Sequence, residues 1–520
     1  MNRNEIVNRI EKDQIWDFII VGGGATGLGI ALDAASRGYS AVLFEQADLA
    51  KGTSSRSTKL VHGGVRYMAQ GDIGLVREAC HERGLLLKNA PHLTKNQSFV
   101  IPNYSWFDNF LYTVGLKFYD MLAGKLSLGK SRYINKQKTI EHLPTVKQKG
   151  LKGGVLYYDG QFDDARLAVN IAQSAVEEGA VIMNYAKVVG LDKDNAGKIS
   201  GVHVKDIETE NVFKIKGRSV INATGVYVDD LMMMDNPAGK KMVRPSQGVH
   251  LVFERSFLDG ESALMIPKTD DGRVLFAVPW HDKLVVGTTD TLRDHPELEP
   301  HALEQEIEFI LQTAGRYLTN KPTREDVLSV FAGLRPLAAP QGEGKSTKEI
   351  SRNHKIIVSP SGLVTITGGK WTTFRRMAQD TVDKTIATVK LQFKPCITQD
   401  FKIHGYAEGV DRADHLYVYG SDIPAVKKIM DEEPGMEEVL AKKYGYTKAE
   451  VAWAARYEFA RTVEDVLARR CRLLFTDAHA AIEAAPIVAQ VLAKEFGRDE
   501  EWITNQVASF NQIAKGYLLN

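Results

Sequence analysis

Near the start of the chain, Gly22-Gly23-Gly24-Ala25-Thr26-Gly27 sets three glycines in the spacing G-x-G-x-x-G. Each glycine in that spacing has its own use. Gly22 permits a tight turn, Gly24 lets backbone come close to a pyrophosphate, and Gly27 lets a helix pack directly on a strand. Ala25 and Thr26 lie between the last two of these glycines as expected cofactor contacts, and the N-terminus of the following helix offers free N–H groups and a positive dipole end to the phosphates. Glu45 ends the next apolar run, about where an acid bonds a nucleotide ribose. A glycine turn alone is a weak signal. Here strand, turn, helix, strand and terminal acid follow in order, which marks a nucleotide site. A second chemical segment is the run GTSSRSTKLVHGGVRY at 52–67, dense in hydroxyls, glycines and bases. Its composition suits a loop that binds phosphate or touches a cofactor.

The elements that must position these residues are readable in outline. The runs DFIIV (17–21) and SAVLFE (40–45) are buried parallel strands around a helix from 28 to 36. Such a β-α-β unit is connected right-handedly. Helices are expected at 72–90 and 165–179, and half-exposed strands at 181–192, 201–206 and 211–216. SVINATG (219–225) and LVTITGG (363–369) are further buried strands ending on glycine, the second followed by a helix to 385. Residues 246–290 alternate as an antiparallel sheet, and the chain from about 405 is mostly helical.

The fold class expected is mixed α/β. It has a discontinuous nucleotide-binding domain (1–95, 150–245, 331–390), an interleaved antiparallel-sheet cap (96–149, 246–330) and a C-terminal helical domain (400–520). The turn alone does not separate FAD from NAD. FAD is favoured by the N-terminal place of the unit and by the distant strand ends Ala223-Thr224-Gly225 and Gly368-Gly369. Those glycines let backbone approach a flavin, and the helix that follows Gly369 can stabilise negative charge on it.

Composition sets limits. With 520 residues the chain exceeds one ordinary core. Lys plus Arg is 66 against 65 Asp plus Glu, a balance that gives no reason to expect nucleic acid. Three scattered cysteines, Cys80, Cys396 and Cys471, form neither a disulfide framework nor a zinc pattern, so a reducing compartment and no metal are expected. No apolar run of about 18 residues occurs, and the charged N-terminus lacks a signal-peptide core.

The 52–67 run closely resembles the signature of the FAD-dependent, quinone-linked glycerol-3-phosphate dehydrogenases. Further segments agree in order: ATGVYVDD (223–230), GVHLVF (248–253), VPWHDKLVVGTTD (278–290), AGLRPL (332–337), ISRNH (350–354), GGKWTTFRRMAQDTVD (368–383) and ARTVEDVLARRCRLLF (460–475). The resemblance spans nearly the whole chain. It implies a flavin fold of the D-amino-acid-oxidase type, noncovalent FAD, sn-glycerol 3-phosphate as substrate and a membrane quinone as acceptor. The reaction it implies is hydride transfer from substrate C2 to flavin N5, giving dihydroxyacetone phosphate.

Residue roles follow from that resemblance and from chemistry. Arg335, Arg352 and Lys370 line the substrate pocket, with Arg66 and Tyr67 close by. Arg suits the phosphate because its planar fork matches phosphate oxygens. The C2 hydroxyl proton needs an acceptor. His62 ranks first, with His250 second and Lys370 third if burial lowers its pKa. Ser54, Ser55, Lys59, Leu60 and His62 are expected flavin contacts, and Thr372 and Thr373 are expected to cap the helix after Gly369.

Residues 106–122 carry Phe107, Leu111, Val114, Phe118 and Met121 at helical spacing beside Lys117, Lys125, Lys130 and Arg132. That pattern suits either a membrane surface or packing on the core. The expected location is cytoplasmic, peripheral on the inner face of the cytoplasmic membrane, with a homodimer left open. Rival readings are an oxidase that uses oxygen, an amine or amino-acid flavoenzyme of the same fold, and a nucleotide-binding regulatory protein. The absence of a mid-chain insertion favours the dehydrogenase over the oxidase, and the arginine cluster favours a phosphorylated substrate.

Overall fold

The computed structural model describes residues 3–12, 14–64, 72–269, 272–338 and 354–519. Phe18–Val21 and Ala41–Phe44 are buried at every position. A strand with no polar side belongs in a sheet covered on both faces. These two pair in parallel at the centre of a six-stranded sheet, in the order 355–358, 364–367, 220–222, 18–21, 41–44, 181–183. Only the 355–358 edge strand runs antiparallel to its neighbour.

Alternation decides which layer each side chain enters. Phe18, Ile20 and Leu43 pack with the helices Ala25–Ser36, Asp164–Glu177 and Phe374–Val389. Ile19, Val21, Val42 and Phe44 face the other way, onto Ile199, Val202, Val204 and Ile215 of a four-stranded sheet. The nucleotide turn therefore starts from a strand clamped on both sides.

A third, ten-stranded sheet forms the cap, with 243–254 and 329–338 paired over ten positions. The sequence reading assigned 153–162 and 331–338 to the nucleotide-binding domain. Instead Gly153–Phe162 pairs with Thr94–Asn103 and Ser329–Ala338 pairs with Val243–Glu254, both in the large sheet. Arg335 and Pro336 accordingly lie within a strand, opposite Ser246 and Pro245. Strand propensity is local, but the choice of partner sheet is made by residues 50 to 95 positions away, from Asn103↔Gly153 to Val243↔Ala338.

The C-terminal helical region docks through buried ion pairs. Asp465–Arg470 is a wide π-helical turn, and Arg472 follows it with φ of 63°. The turn directs Arg469 and Arg470 onto Asp48 at 2.5 and 2.7 Å. Burial alone would raise the Asp48 carboxyl, but Arg470 and Arg469 outweigh it and bring it down to about 2. Arg472 reaches Asp164 at 2.9 Å, and Arg166 grips Glu458 through two 2.6 Å hydrogen bonds.

Asp164 also holds Lys59 Nζ at 2.8 Å. Lys59 was an expected flavin contact, but its ammonium turns inward, donating to the Ser55 carbonyl at 2.7 Å beneath the rings of Trp280, Phe331 and Phe475. Burial lowers its pKa to about 7; Asp164 opposes that shift and Arg472 adds to it.

Removing one member of such a network leaves a desolvated charge. Arg472→Ala should cost about 3 kcal/mol, near the lower bound for a broken buried pair because Lys59 still faces Asp164. Denaturant unfolding followed by circular dichroism measures this, and an unchanged midpoint would remove Arg472 from the docking account.

Candidate active site

The glycine turn is built by close approach. Gly22 has φ of +112°, and a Cβ there would stand 2.6 Å from the Ala223 carbonyl oxygen. A Cβ on Gly27 would stand 1.9 Å from the Gly22 carbonyl oxygen, so helix and strand meet only without side chains. Gly24 is the N-cap of the Ala25–Ser36 helix and brings no capping side chain. Ser54 Oγ accepts the Ala25 N–H at 2.9 Å and joins the 53–55 loop to the helix start. Glu45 accepts the Gly23 N–H at 2.6 Å and the Ala47 N–H at 2.9 Å. Burial raises its carboxyl above the usual range, and those two N–H groups pull it back. Glu45 thus first holds the turn itself.

One cavity of about 770 Å³ starts at this turn and ends at the cap sheet. Gly22, Gly24, Ala25, Thr26, Glu45 and Ser54 line it, as do Leu60, His62, Ala223 and Gly225. His250, Arg335, Gly368, Gly369, Lys370 and Thr372 complete that wall. Most of the site residues named from sequence therefore meet around one space. Gly27 lies behind it as packing. Ser55 and Lys59 are turned away from it, because the Asp164 carboxylate competes for the Lys59 ammonium. Arg66, Tyr67 and Arg352 lie outside the described residues.

Thr372 and Thr373 do not cap as expected. Thr373 is the N-cap residue of Phe374–Val389 but makes no side-chain cap bond, its hydroxyl donating instead to the Lys370 carbonyl at 3.2 Å. Thr372 Oγ1 accepts the His62 N–H at 3.2 Å. Trp371 Nε1 donates to the Ser54 carbonyl at 2.8 Å. The 370–373 segment is thereby stitched to the 52–64 loop, and the two form one wall.

At the cap end, Arg335 donates to the Thr289 carbonyl at 3.1 Å and to Thr288 Oγ1 at 3.0 Å, and stands 3.6 Å from Asp290. Gly248 leaves the room: a Cβ there would be 2.3 Å from Arg335 Nη2. The guanidinium is thus fixed before any ligand arrives. His250 shares Nε2 with Thr58 Oγ1 at 2.9 Å and stacks on Phe331. Burial, then the charges of Lys59 and Arg335, push it well below its ordinary value, so it is neutral at pH 7.

Sequence reasoning missed other parts of the wall. Arg56, held by Glu299 at 2.6 Å and by the Ala332 carbonyl at 3.1 Å, lies in the quoted run but was not singled out. Lys187, Val188 and Tyr227 come from the half-exposed sheet and from the turn after Gly225; only the second had a signal, in the segment ATGVYVDD.

The arrangement fits a dinucleotide cofactor. Backbone comes close at Gly22 and Gly24 beside a helix start, and the volume lies within the range of small-molecule sites, roughly 300–1,000 Å³. The FAD dependent oxidoreductase family matches residues 17–375, and the C-terminal domain of alpha-glycerophosphate oxidase matches 363–503. The chain is 40% identical to a mitochondrial glycerol-3-phosphate dehydrogenase of Arabidopsis thaliana, over 96% of this chain and 86% of that one. It is 38% identical to the human mitochondrial glycerol-3-phosphate dehydrogenase, over 94% and 72%. Its fold matches the FAD complex of the Bacillus halodurans glycerol-3-phosphate dehydrogenase with a TM-score of 0.81 at 30% identity, covering 99% and 97% of the two chains.

Gly22→Ala should lose most of the bound FAD, since its Cβ would collide with the Ala223 carbonyl at a φ that alanine rarely adopts. The flavin-to-protein absorbance ratio reads this directly; full flavin occupancy in the variant would argue against the assigned turn.

Proposed function

The chain belongs to the FAD-dependent glycerol-3-phosphate dehydrogenases, and on that footing we propose that it oxidises sn-glycerol 3-phosphate to dihydroxyacetone phosphate. The observation that carries this reading is the pre-fixed Arg335 guanidinium in the same cavity as the nucleotide turn, with His62 and Lys370 on the wall between. FAD, held along the glycine turn, supplies the hydride acceptor. The residues of the chain supply the rest.

Arg335 takes the substrate phosphate. Its planar fork is already oriented by Thr288 and Thr289, so little side-chain freedom is lost on binding. Arg352, Arg66 and Tyr67 complete that end of the site on the sequence resemblance. Lys370 neutralises charge that develops on the C2 oxygen. His62 accepts the C2 hydroxyl proton. His250 is the poorer acceptor, because burial and two neighbouring cations oppose its protonation.

Electrons leave to a membrane quinone in this reading, and the protein sits peripherally on the inner face of the cytoplasmic membrane. Support comes from the Trp106–Ala123 helix. Trp106, Phe107, Phe110 and Met121 are 63–71% exposed, and Leu111 and Val114 are 52% exposed, while Leu116 and Tyr119 point inward. A helix packed only on the core would show the opposite. Lys117, Lys130 and Arg132 lie close by in sequence, the charge an anionic lipid surface attracts. Among the described residues no helix is long and apolar enough to cross a membrane.

The deciding experiment is anaerobic flavin absorbance before and after adding sn-glycerol 3-phosphate. Rapid bleaching is expected, followed by reoxidation with a quinone analogue faster than with oxygen. Arg335→Ala should keep its FAD and need at least about tenfold more substrate for the same bleaching, the loss of one charged hydrogen-bonding partner. A yellow protein that does not bleach sinks the substrate assignment, and faster reoxidation by oxygen makes the protein an oxidase.

The membrane reading has its own check. Exchanging Phe107 and Phe110 for Ser should weaken co-sedimentation with anionic vesicles on the order of 100-fold, roughly tenfold per phenyl ring withdrawn from water. Flavin bleaching in solution should stay within about twofold. Unaltered sedimentation would place the contact elsewhere.

A further inference from the structure

Strand pairing stops at Val61, opposite Gly160; His62, the next residue, lines the cavity, and residues 62–64 have no ladder partner. Gly63 is buried, so its N–H needs an acceptor from within the protein. That acceptor is Tyr119 Oη, at 2.9 Å. We propose that Tyr119, clamped by Arg83 and Asp159, is a positioning residue that fixes the His62–Gly63 peptide, and with it the His62 side chain, against the active-site cavity.

The hydroxyl is completely used. It donates to Asp159 Oδ2 at 2.9 Å and accepts from Gly63 N–H and from Arg83 Nη1 at 3.2 Å. One donor and two acceptor sites are all a phenol has. Arg83 also holds Asp159 at 2.6 Å, so the clamp is itself rigid and its charges are paired. Burial, and then the Asp159 carboxylate, push the phenol well above its ordinary pKa, which keeps the donor proton in place.

The fit admits no substitute at the turn. A Cβ on Gly63 would lie 2.4 Å from both Tyr119 Oη and Cys80 Sγ. From the cavity side Thr372 accepts the His62 N–H at 3.2 Å. Consecutive N–H groups, those of residues 62 and 63, are therefore held from opposite sides. A peptide pinned in this way gives the side chain at 62 little freedom to swing, which proton transfer over hydrogen-bond distance requires.

Tyr119→Phe removes only the hydroxyl oxygen. Leu116→Ala, on the same buried side of the same helix, removes packing without touching Gly63. In FAD-loaded protein, hydrogen exchange of the peptide spanning 60–64 should accelerate at least tenfold in Tyr119→Phe and stay near wild type in Leu116→Ala. Both variants should keep their flavin. The rate of flavin bleaching by sn-glycerol 3-phosphate should fall about tenfold in Tyr119→Phe, with the acid limb of its pH profile displaced. Unchanged exchange in Tyr119→Phe overturns the proposal, as does equal acceleration in Leu116→Ala. So does an unaltered bleaching rate where wild-type flavin bleaches. The catalytic part rests on the substrate reading above. If wild-type flavin does not bleach at all, that reading fails, while the exchange result still judges the clamp.

Discussion

The nucleotide-binding half buries carboxylates that its own cations neutralise only in part, and the rest of the structure depends on the arginines that reach them. Asp48, Asp163 and Asp164 are all buried, and a lone carboxylate away from water costs several kcal/mol. Arg469, Arg470 and Arg472 arrive together because a π-helical turn and one left-handed residue aim three nearly consecutive side chains into one volume. Asp164 also accepts from Ser57, through both its N–H and its hydroxyl. The cavity-lining loop thus hangs from the carboxylate that Arg472 and Lys59 neutralise. Helical domain, ion pair, loop and cavity form one chain of support.

Across the cavity the groups differ in how they are held. The glycine turn is shaped by backbone contact, with Gly22, Gly27 and Ala223 at distances no side chain survives. The cap end is shaped by hydrogen bonds that Arg335 donates to the Thr288 hydroxyl and the Thr289 carbonyl, and by the one shared between Thr58 and His250. The first kind of hold suits a cofactor common to many flavoproteins; the second suits a small anion. Because Arg335 stands in a strand paired over ten positions, its place follows from sheet register and not from loop conformation.

What could be read from sequence was local. The glycine turn, the strands expected at 201–206 and 211–216 and the Trp106–Ala123 helix follow from patterns within a few residues, and each occupies nearly the expected positions, whereas the strand expected at 181–192 is two strands, Val181–Met183 and Ala186–Lys193, in different sheets. Lys59 shows where locality ends. It sits among flavin-type loop residues, but its direction is set by an aspartate 105 positions later. The assignment of 153–162 and 331–338 to the nucleotide-binding domain failed for the same reason. Tyr119 gave no signal, since a tyrosine on an apolar helix reads as one more aromatic until its partner at Gly63 is known. The roles of Arg66, Tyr67 and Arg352 rest on the sequence resemblance alone.

The π-helical turn also bears on how the chain is made. Arg469 follows Asp48 by 421 residues. At bacterial-to-eukaryotic synthesis speeds that separation is roughly 20–80 s of translation. Throughout that interval the nascent chain carries Asp48 without the two arginines that face it in the folded protein. Docking of the helical region onto Asp48 is then a late event, timed by emergence of the last arginines from the ribosome, and a message interrupted shortly before them yields a chain that has every glycine of the nucleotide turn and leaves Asp48 without its counter-ions.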